Sequence, residues 1–160
     1  MQPGKILVAD HKGVYVIKMT GDVRLTLCIS FDQFIDTMFA EKHFSTVLFD
    51  LSEVEAIDST TLGLMAKISL QGDEEHGIKP LVLSTNPSIN RLLRSMGFEE
   101  IFTIVDDLDT PVQPLKPLEE NTDQENDVRD KVIEAHKVLM SLNDENKKTF
   151  RNLVQMLENN

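Results

Sequence analysis

A run of polar residues with hydroxyl groups follows an apolar strand near the middle of the chain, where a helix begins. The run is Asp58, Ser59, Thr60 and Thr61. A helix N-terminus offers unpaired backbone N–H groups and about half a positive charge, so an anion is stabilised there. These residue types at this place predict a phosphate-accepting site, with Ser59 as the acceptor.

A simpler role for the same residues is helix capping. Aspartate and serine are among the commonest residues at a helix start and need no phosphate to be useful there. Thr60 and Thr61 are weaker acceptor candidates, because first-turn threonines commonly just pack their methyl groups. Capping alone therefore stays open as the alternative.

The flanking residues predict the two elements that place this run. Thr46–Leu51 is apolar and β-branched around Asp50, as in a buried strand. After it, Leu62, Met65, Ala66 and Ile68 recur at helical spacing. A helix is expected from Ser59 to about Glu75, ended by Gly77 and Pro80.

The rest of the first 108 residues alternates strands with helices. Ser30 is the expected cap of the first helix, Asn86 caps a later one, and Gly97 ends it. The expected strands are Lys5–Ala9, Val14–Thr20, Leu81–Leu83 and Ile101–Ile104. This order predicts an α/β fold, a mixed sheet with helices packed mainly on one face.

The chain beyond residue 108 changes in composition. Prolines at 111, 114 and 117 recur every third residue, and an acidic stretch follows, so residues 109–127 are expected to form a linker of polyproline II type. Residues 128–160 predict two amphipathic helices with a break at Leu142–Asn143. Their apolar stripes must be buried on each other, on residues 1–108, on a partner or in a homodimer. We expect them to form a separate accessory unit.

Composition excludes several classes of function. The formal charge of −11 argues against nucleic-acid binding, which needs clustered Lys and Arg. No apolar run reaches the length of a membrane helix and no signal peptide is evident, so a cytoplasmic location is expected. The single Cys28 excludes an internal disulfide and is expected to be a small apolar filler.

No enzymatic motif is complete in the sequence. Residues 72–79 have the glycine spacing of a phosphate loop but carry Ile78 where the lysine belongs. The four histidines, at 11, 43, 76 and 136, are scattered and are expected on the surface. We therefore expect no enzyme activity, no cofactor and no metal site.

The stretch D-L-S-E-V-E-A-I-D-S-T-T-L-G-L, residues 50–64, resembles the signature of STAS domains of the anti-sigma factor antagonist type. The resemblance extends over residues 4 to 108 and implies a STAS fold. In that family, the serine after the aspartate is phosphorylated by a partner anti-sigma factor that is a kinase. A PP2C-type phosphatase removes the phosphate. The resemblance implies that Ser59 has this role here.

The resemblance also implies a partner-binding surface, made of Asp22, Asp58, Ser59, Thr60, Thr61 and Leu62. It implies a bacterial partner-switching regulator of transcription, which binds the kinase when unphosphorylated and releases it when Ser59 is phosphorylated. Thr61 stands where the family commonly has glycine, which adds a Cβ and a hydroxyl at the expected docking face. A non-switching interaction or scaffold module is the alternative. The sequence does not identify the protein that the kinase releases, because the contacts with that protein lie on the kinase.

Overall fold

A six-stranded mixed sheet with helices packed against it forms the centre of this computed structural model, which describes residues 2–107, 115–120 and 125–159. In chain order the elements are β1 (Lys5–His11), β2 (Val14–Val23), α1 (Cys28–Ala40), β3 (Thr46–Ile57), α2 (Ser59–His76), β4 (Leu81–Leu83), α3 (Pro87–Ser95), β5 (Thr103–Val105), β6 (Lys116–Pro117), α4 (Glu125–Met140) and α5 (Asp144–Glu158). The strand order across the sheet is β5-β4-β3-β2-β1-β6. β1 is antiparallel to both β2 and β6, whereas β2 to β5 are parallel neighbours. The predicted α/β class is confirmed.

One face of the sheet and the helices share a single hydrophobic core. The strands alternate, so that Tyr15, Ile17 and Met19 of β2 are buried while their neighbours are partly exposed. The helices contribute residues such as Phe31 and Met65 to the same cluster. None of the helices in the described ranges is long and apolar enough to cross a membrane.

Several predicted boundaries are wrong because strand pairing decides them. β2 and β3 run beyond Thr20 and Leu51, and they pair as far as Val23 and Ile57. The last strand starts at Thr103, since Phe98–Glu100 forms a 3-10 turn. Helix α1 starts at Cys28, before Ser30, and the Ser30 hydroxyl donates to the Glu119 carbonyl instead of capping a helix.

Part of the predicted linker is paired with the sheet. Lys116–Pro117 forms the edge strand β6, paired with Leu7 and Val8 of β1, rather than a free polyproline segment. Proline is tolerated in an edge strand because the outer side of that strand has no neighbouring strand to which an N–H would have to donate. Pro111 and Pro114 lie outside the described residues.

The C-terminal helices pack on the domain that precedes them. Asn143 caps α5 at the predicted break by accepting a hydrogen bond from the Asn146 backbone N–H, at 2.8 Å. Ala135, Leu139 and Phe150 belong to the same hydrophobic cluster as the sheet. The division into 1–108, 109–127 and 128–160 with a separable accessory unit stays a prediction, although in this structure the helices share the core.

Helix α4 crosses one face of α2 at close range. We call this the Ser59 face of α2, and it consists of Ser59, Gly63 and Lys67, which recur every four residues. A methyl group placed at Gly63 would lie 2.6 Å from the carbonyl carbon of Ala135 and 2.7 Å from its Cβ. The helices can approach this closely only because residue 63 has no side chain.

The close contact between α2 and α4 predicts that replacing Gly63 by alanine destabilises the protein, although the same change stabilises an isolated helix. Gly63→Ala would stabilise an isolated helix by about 1 kcal/mol, but here it should destabilise the protein by about 1–3 kcal/mol through overpacking against α4. The measurement is the free energy of unfolding in urea.

Gly72 of the same helix is the matched control. A methyl there would come closest to the flexible Ile78 side chain, with Cγ1 2.9 Å away, and would lie at ordinary contact distance from the Phe39 ring. Gly72→Ala should therefore be tolerated better than Gly63→Ala. A Gly63→Ala protein as stable as the wild type would show that α4 is not held against α2.

Candidate functional site

Asp58 fixes the joint between β3 and α2. Its Oδ1 accepts a hydrogen bond from the Thr61 backbone N–H at 2.9 Å, as a helix N-cap does, and its Oδ2 accepts one from the Leu25 N–H at 2.6 Å. Its own N–H donates to the Val23 carbonyl at 3.0 Å. One carboxylate therefore ties the start of α2 to the turn that follows β2.

Ser59 is the first residue of α2 and is partly exposed. Its Oγ lies 2.7 Å from Nε2 of His136 on α4. The other ring nitrogen of His136, Nδ1, lies 2.6 Å from the Val132 carbonyl oxygen. Because a carbonyl only accepts, Nδ1 of the ring carries a proton, and in a neutral ring Nε2 then accepts the proton of the Ser59 hydroxyl.

His136 is a buried residue, so its predicted surface position is wrong. It is 2% exposed and packs edge-on against Phe150, with ring centroids 4.9 Å apart. A serine next to a histidine is also the start of a catalytic pair. Here, however, a backbone carbonyl orients the ring, and the ring presents almost no surface to a substrate. The pair therefore orients the Ser59 hydroxyl.

A second polar cluster anchors α4 beyond Ser59. Asp32 of α1, which is 4% exposed, accepts from Lys67 at 2.8 Å and pairs with Lys131 at 2.7 Å. Glu134 pairs with the same two lysines, at 2.6 Å and 3.1 Å. Burial tends to raise the pKa of Asp32, but hydrogen bonds from Lys131 and Lys67 outweigh it and hold the pKa below its ordinary value. Asp32 is therefore a charged bridge among α1, α2 and α4.

The predicted site residues divide into two groups. Asp22 lies near the carboxyl end of β2 and pairs with Arg24 at 2.8 Å, so it is on the same edge of the sheet as Asp58 and Ser59. The other predicted residues, Thr60, Thr61 and Leu62, are 3%, 2% and 1% exposed. The extra side chain of Thr61 is thus buried and does not project from the surface, contrary to expectation.

Sequence reasoning missed His136, Lys131 and Glu134. A signal for His136 was present, because it lies four residues after Val132 and next to Ala135, both on the predicted apolar stripe of the helix. The sequence does not show which surface this apolar stripe packs against. The residue opposite His136 depends on how α4 docks on α2.

The fold places the chain in a known family. A family model described as the STAS domain matches residues 5–110, more than half of the chain, and the chain belongs to this family. No curated protein matches it.

The solved structures that are similar to it include two anti-sigma factor antagonists. An anti-sigma factor antagonist from Mycobacterium paratuberculosis has 26% sequence identity and a TM-score of 0.55, over 67% of this chain and 89% of that one. The anti-sigma factor antagonist SpoIIAA in its unphosphorylated form has 15% identity and a TM-score of 0.54, over 66% and 90%, and shows the fold alone. The predicted resemblance to STAS proteins of this type is confirmed.

The double role of Asp58 predicts a loss of stability when its carboxylate is removed. Asp58→Ala deletes the acceptor of both the Thr61 and the Leu25 N–H groups and should cost about 1–2 kcal/mol, the range for a helix cap. Asp58→Asn keeps one acceptor oxygen and should cost less. Urea unfolding of both variants measures this, and losses below about 0.5 kcal/mol in both would contradict the assignment.

Proposed function

We propose that the protein is a partner-switching regulator like the anti-sigma factor antagonists. Unmodified, it binds a serine kinase that acts as an anti-sigma factor, and phosphorylation of Ser59 ends the binding. The observation that carries the proposal is the place of Ser59: the first residue of α2, directly after the cap Asp58, in a STAS domain. The likeness to two anti-sigma factor antagonists supports it.

The chemistry of the switch is a change of charge. The kinase transfers the γ-phosphoryl group of ATP to Ser59 Oγ, so that an O–P bond forms, the bond to ADP breaks and the hydroxyl proton leaves to a base. The phosphoryl group adds about −1.5 to −2 charges to a chain that already carries −11. The N-terminus of α2 stabilises this charge, while a binding surface that fits a neutral serine does not.

A reversible phosphorylation switch requires partners besides the kinase. A PP2C-type phosphatase would restore the unmodified serine, and the client released from the kinase would be a regulator of transcription. The location would be cytoplasmic, and a homodimer through the C-terminal helices is the other association to test. The protein itself would have no catalytic turnover, since the nucleotide chemistry belongs to the kinase.

A non-switching interaction module is the second candidate, and one observation favours it. The Ser59 hydroxyl is already bonded to His136, and Thr60, Thr61 and Leu62 are buried. A serine used only to hold α4 would have this appearance. The two candidates differ in one chemical respect, the presence of phosphate on Ser59.

Phosphate mapping separates them. Intact-mass measurement of protein isolated from its own cells should show one phosphate, and peptide mapping should place it on Ser59. Ser59→Ala should carry none and should bind the kinase constitutively.

Ser88→Ala is the matched control, since Ser88 is an exposed serine in the first turn of α3. This variant should be phosphorylated like the wild type. Phosphate found on another residue, or absent under all growth conditions, would refute the proposed switch.

A further inference from the structure

Helix α4 lies along the face of α2 that carries Ser59. Ser59, Gly63 and Lys67 contact, in turn, His136, Ala135 and Glu134. The hydroxyl that the proposed function assigns to the kinase is thus already occupied by a residue of the same chain.

The contact of α4 with the domain combines apolar residues of the core, Ala135 and Leu139, with small and polar groups near Ser59. It contains a serine against a histidine, a glycine against an alanine, and the charged cluster around Asp32. Buried ion pairs contribute little net stability, because desolvation offsets their attraction. The polar part of the contact, next to Ser59, resembles interfaces within a chain that allow one unit to move relative to the other.

The contact with His136 occupies one side of the Ser59 hydroxyl and narrows the space from which a phosphoryl donor can approach. A reacting group must come within about 3–3.5 Å of the nucleophile, and His136 Nε2 already lies 2.7 Å from Ser59 Oγ. The hydroxyl is reached more readily when α4 is away from α2.

The segment before α4 is bonded to the sheet and keeps the helix near α2. Before α4 begins, the chain is held on the sheet through β6: the Leu118 N–H donates to the Ile6 carbonyl at 2.8 Å, and the Glu119 carbonyl accepts from Ser30. A helix tethered this close has a high effective concentration at its docking site. Any partner must compete with it.

We propose that α4 is an intramolecular cover of the Ser59 site, and that a kinase or binding partner engages Ser59 only after α4 has moved off the Ser59 face. The proposal rests on the proposed function, because it assumes that Ser59 is the residue to be reached. Its physical part, the covering of residue 59, is testable without any partner.

The first experiment measures access to residue 59 in the full chain. Ser59→Cys is made together with Cys28→Ala, which removes the buried native thiol, and the rate of reaction with a bulky maleimide is recorded. Ala135→Glu is then added, because a longer, charged side chain opposite Gly63 should push α4 away. Labelling should become faster by about tenfold or more.

Lys137→Glu is the matched control. It introduces a carboxylate at an exposed position of the same helix and removes the Lys137–Glu158 ion pair, which is solvent-exposed and contributes little. The rate should change by less than about twofold. Lys131→Ala is the second opening variant, since it removes one anchor of α4 on Asp32 without touching Ser59. It serves in place of Ala135→Glu if amide exchange shows that the sheet of that variant has unfolded. Rates unchanged in the opening variants, with α4 loosened by amide exchange, would overturn the proposal.

The second experiment tests the consequence for the switch. Full-length protein with native Ser59, with and without Ala135→Glu, is added to an ATP-supplemented extract of its own cells, and the initial rate of Ser59 phosphorylation is measured. The open variant should be phosphorylated several-fold faster. Equal rates would overturn the cover as a regulator of access. No phosphate on Ser59 in either protein would instead refute the proposed function, and the maleimide rates would still decide whether α4 covers residue 59.

Discussion

The close approach of two backbones at Gly63 and Ala135 determines how the C-terminal helices relate to the STAS domain. An alanine at 63 would overlap the Ala135 backbone, so the glycine allows α4 to lie directly on α2. Once the helices are this close, His136 reaches Ser59 and Lys131 reaches Asp32. Both polar contacts are consequences of one missing side chain.

Two opposing demands meet at the start of α2. The unpaired N–H groups and the dipole of the helix favour an anion there, while the hydrogen bond with His136 holds the unmodified serine. Asp58 already supplies one negative charge and holds the joint between β3 and α2 through two backbone N–H groups. The start of α2 is therefore held in place without phosphate. A phosphate on Ser59 would interact favourably with the N-terminus of α2 but would break the hydrogen bond between Ser59 and His136 of α4.

Local signals predicted much of the fold. The caps Asn86 and Asn143 and the left-handed Gly97 are where the sequence places them, because each depends on neighbours within a few residues. Strand lengths were less predictable. β3 extends to Ile57 because β2 continues beside it, and β6 exists because β1 offers a free edge.

In the candidate site, too, some features follow from local sequence and others from tertiary packing. Asp58 and Ser59 could be identified at a helix start from the sequence, since the change from strand to helix periodicity marks it. Their contact with His136, 77 residues away, depends on tertiary packing that no local pattern encodes. The burial of Thr61 likewise depends on the layers around α2.

We expect a phosphate on Ser59 to take the space that His136 now occupies and so to displace α4 from α2. The direct test is amide hydrogen exchange of the full chain with phosphoserine installed genetically at position 59, compared with the unmodified protein and with phosphoserine at position 88. We expect exchange to be faster by about tenfold or more for residues 132–140 in the protein with phosphoserine at position 59 alone, with the sheet amides unchanged. Equal protection of α4 in all three proteins would contradict it.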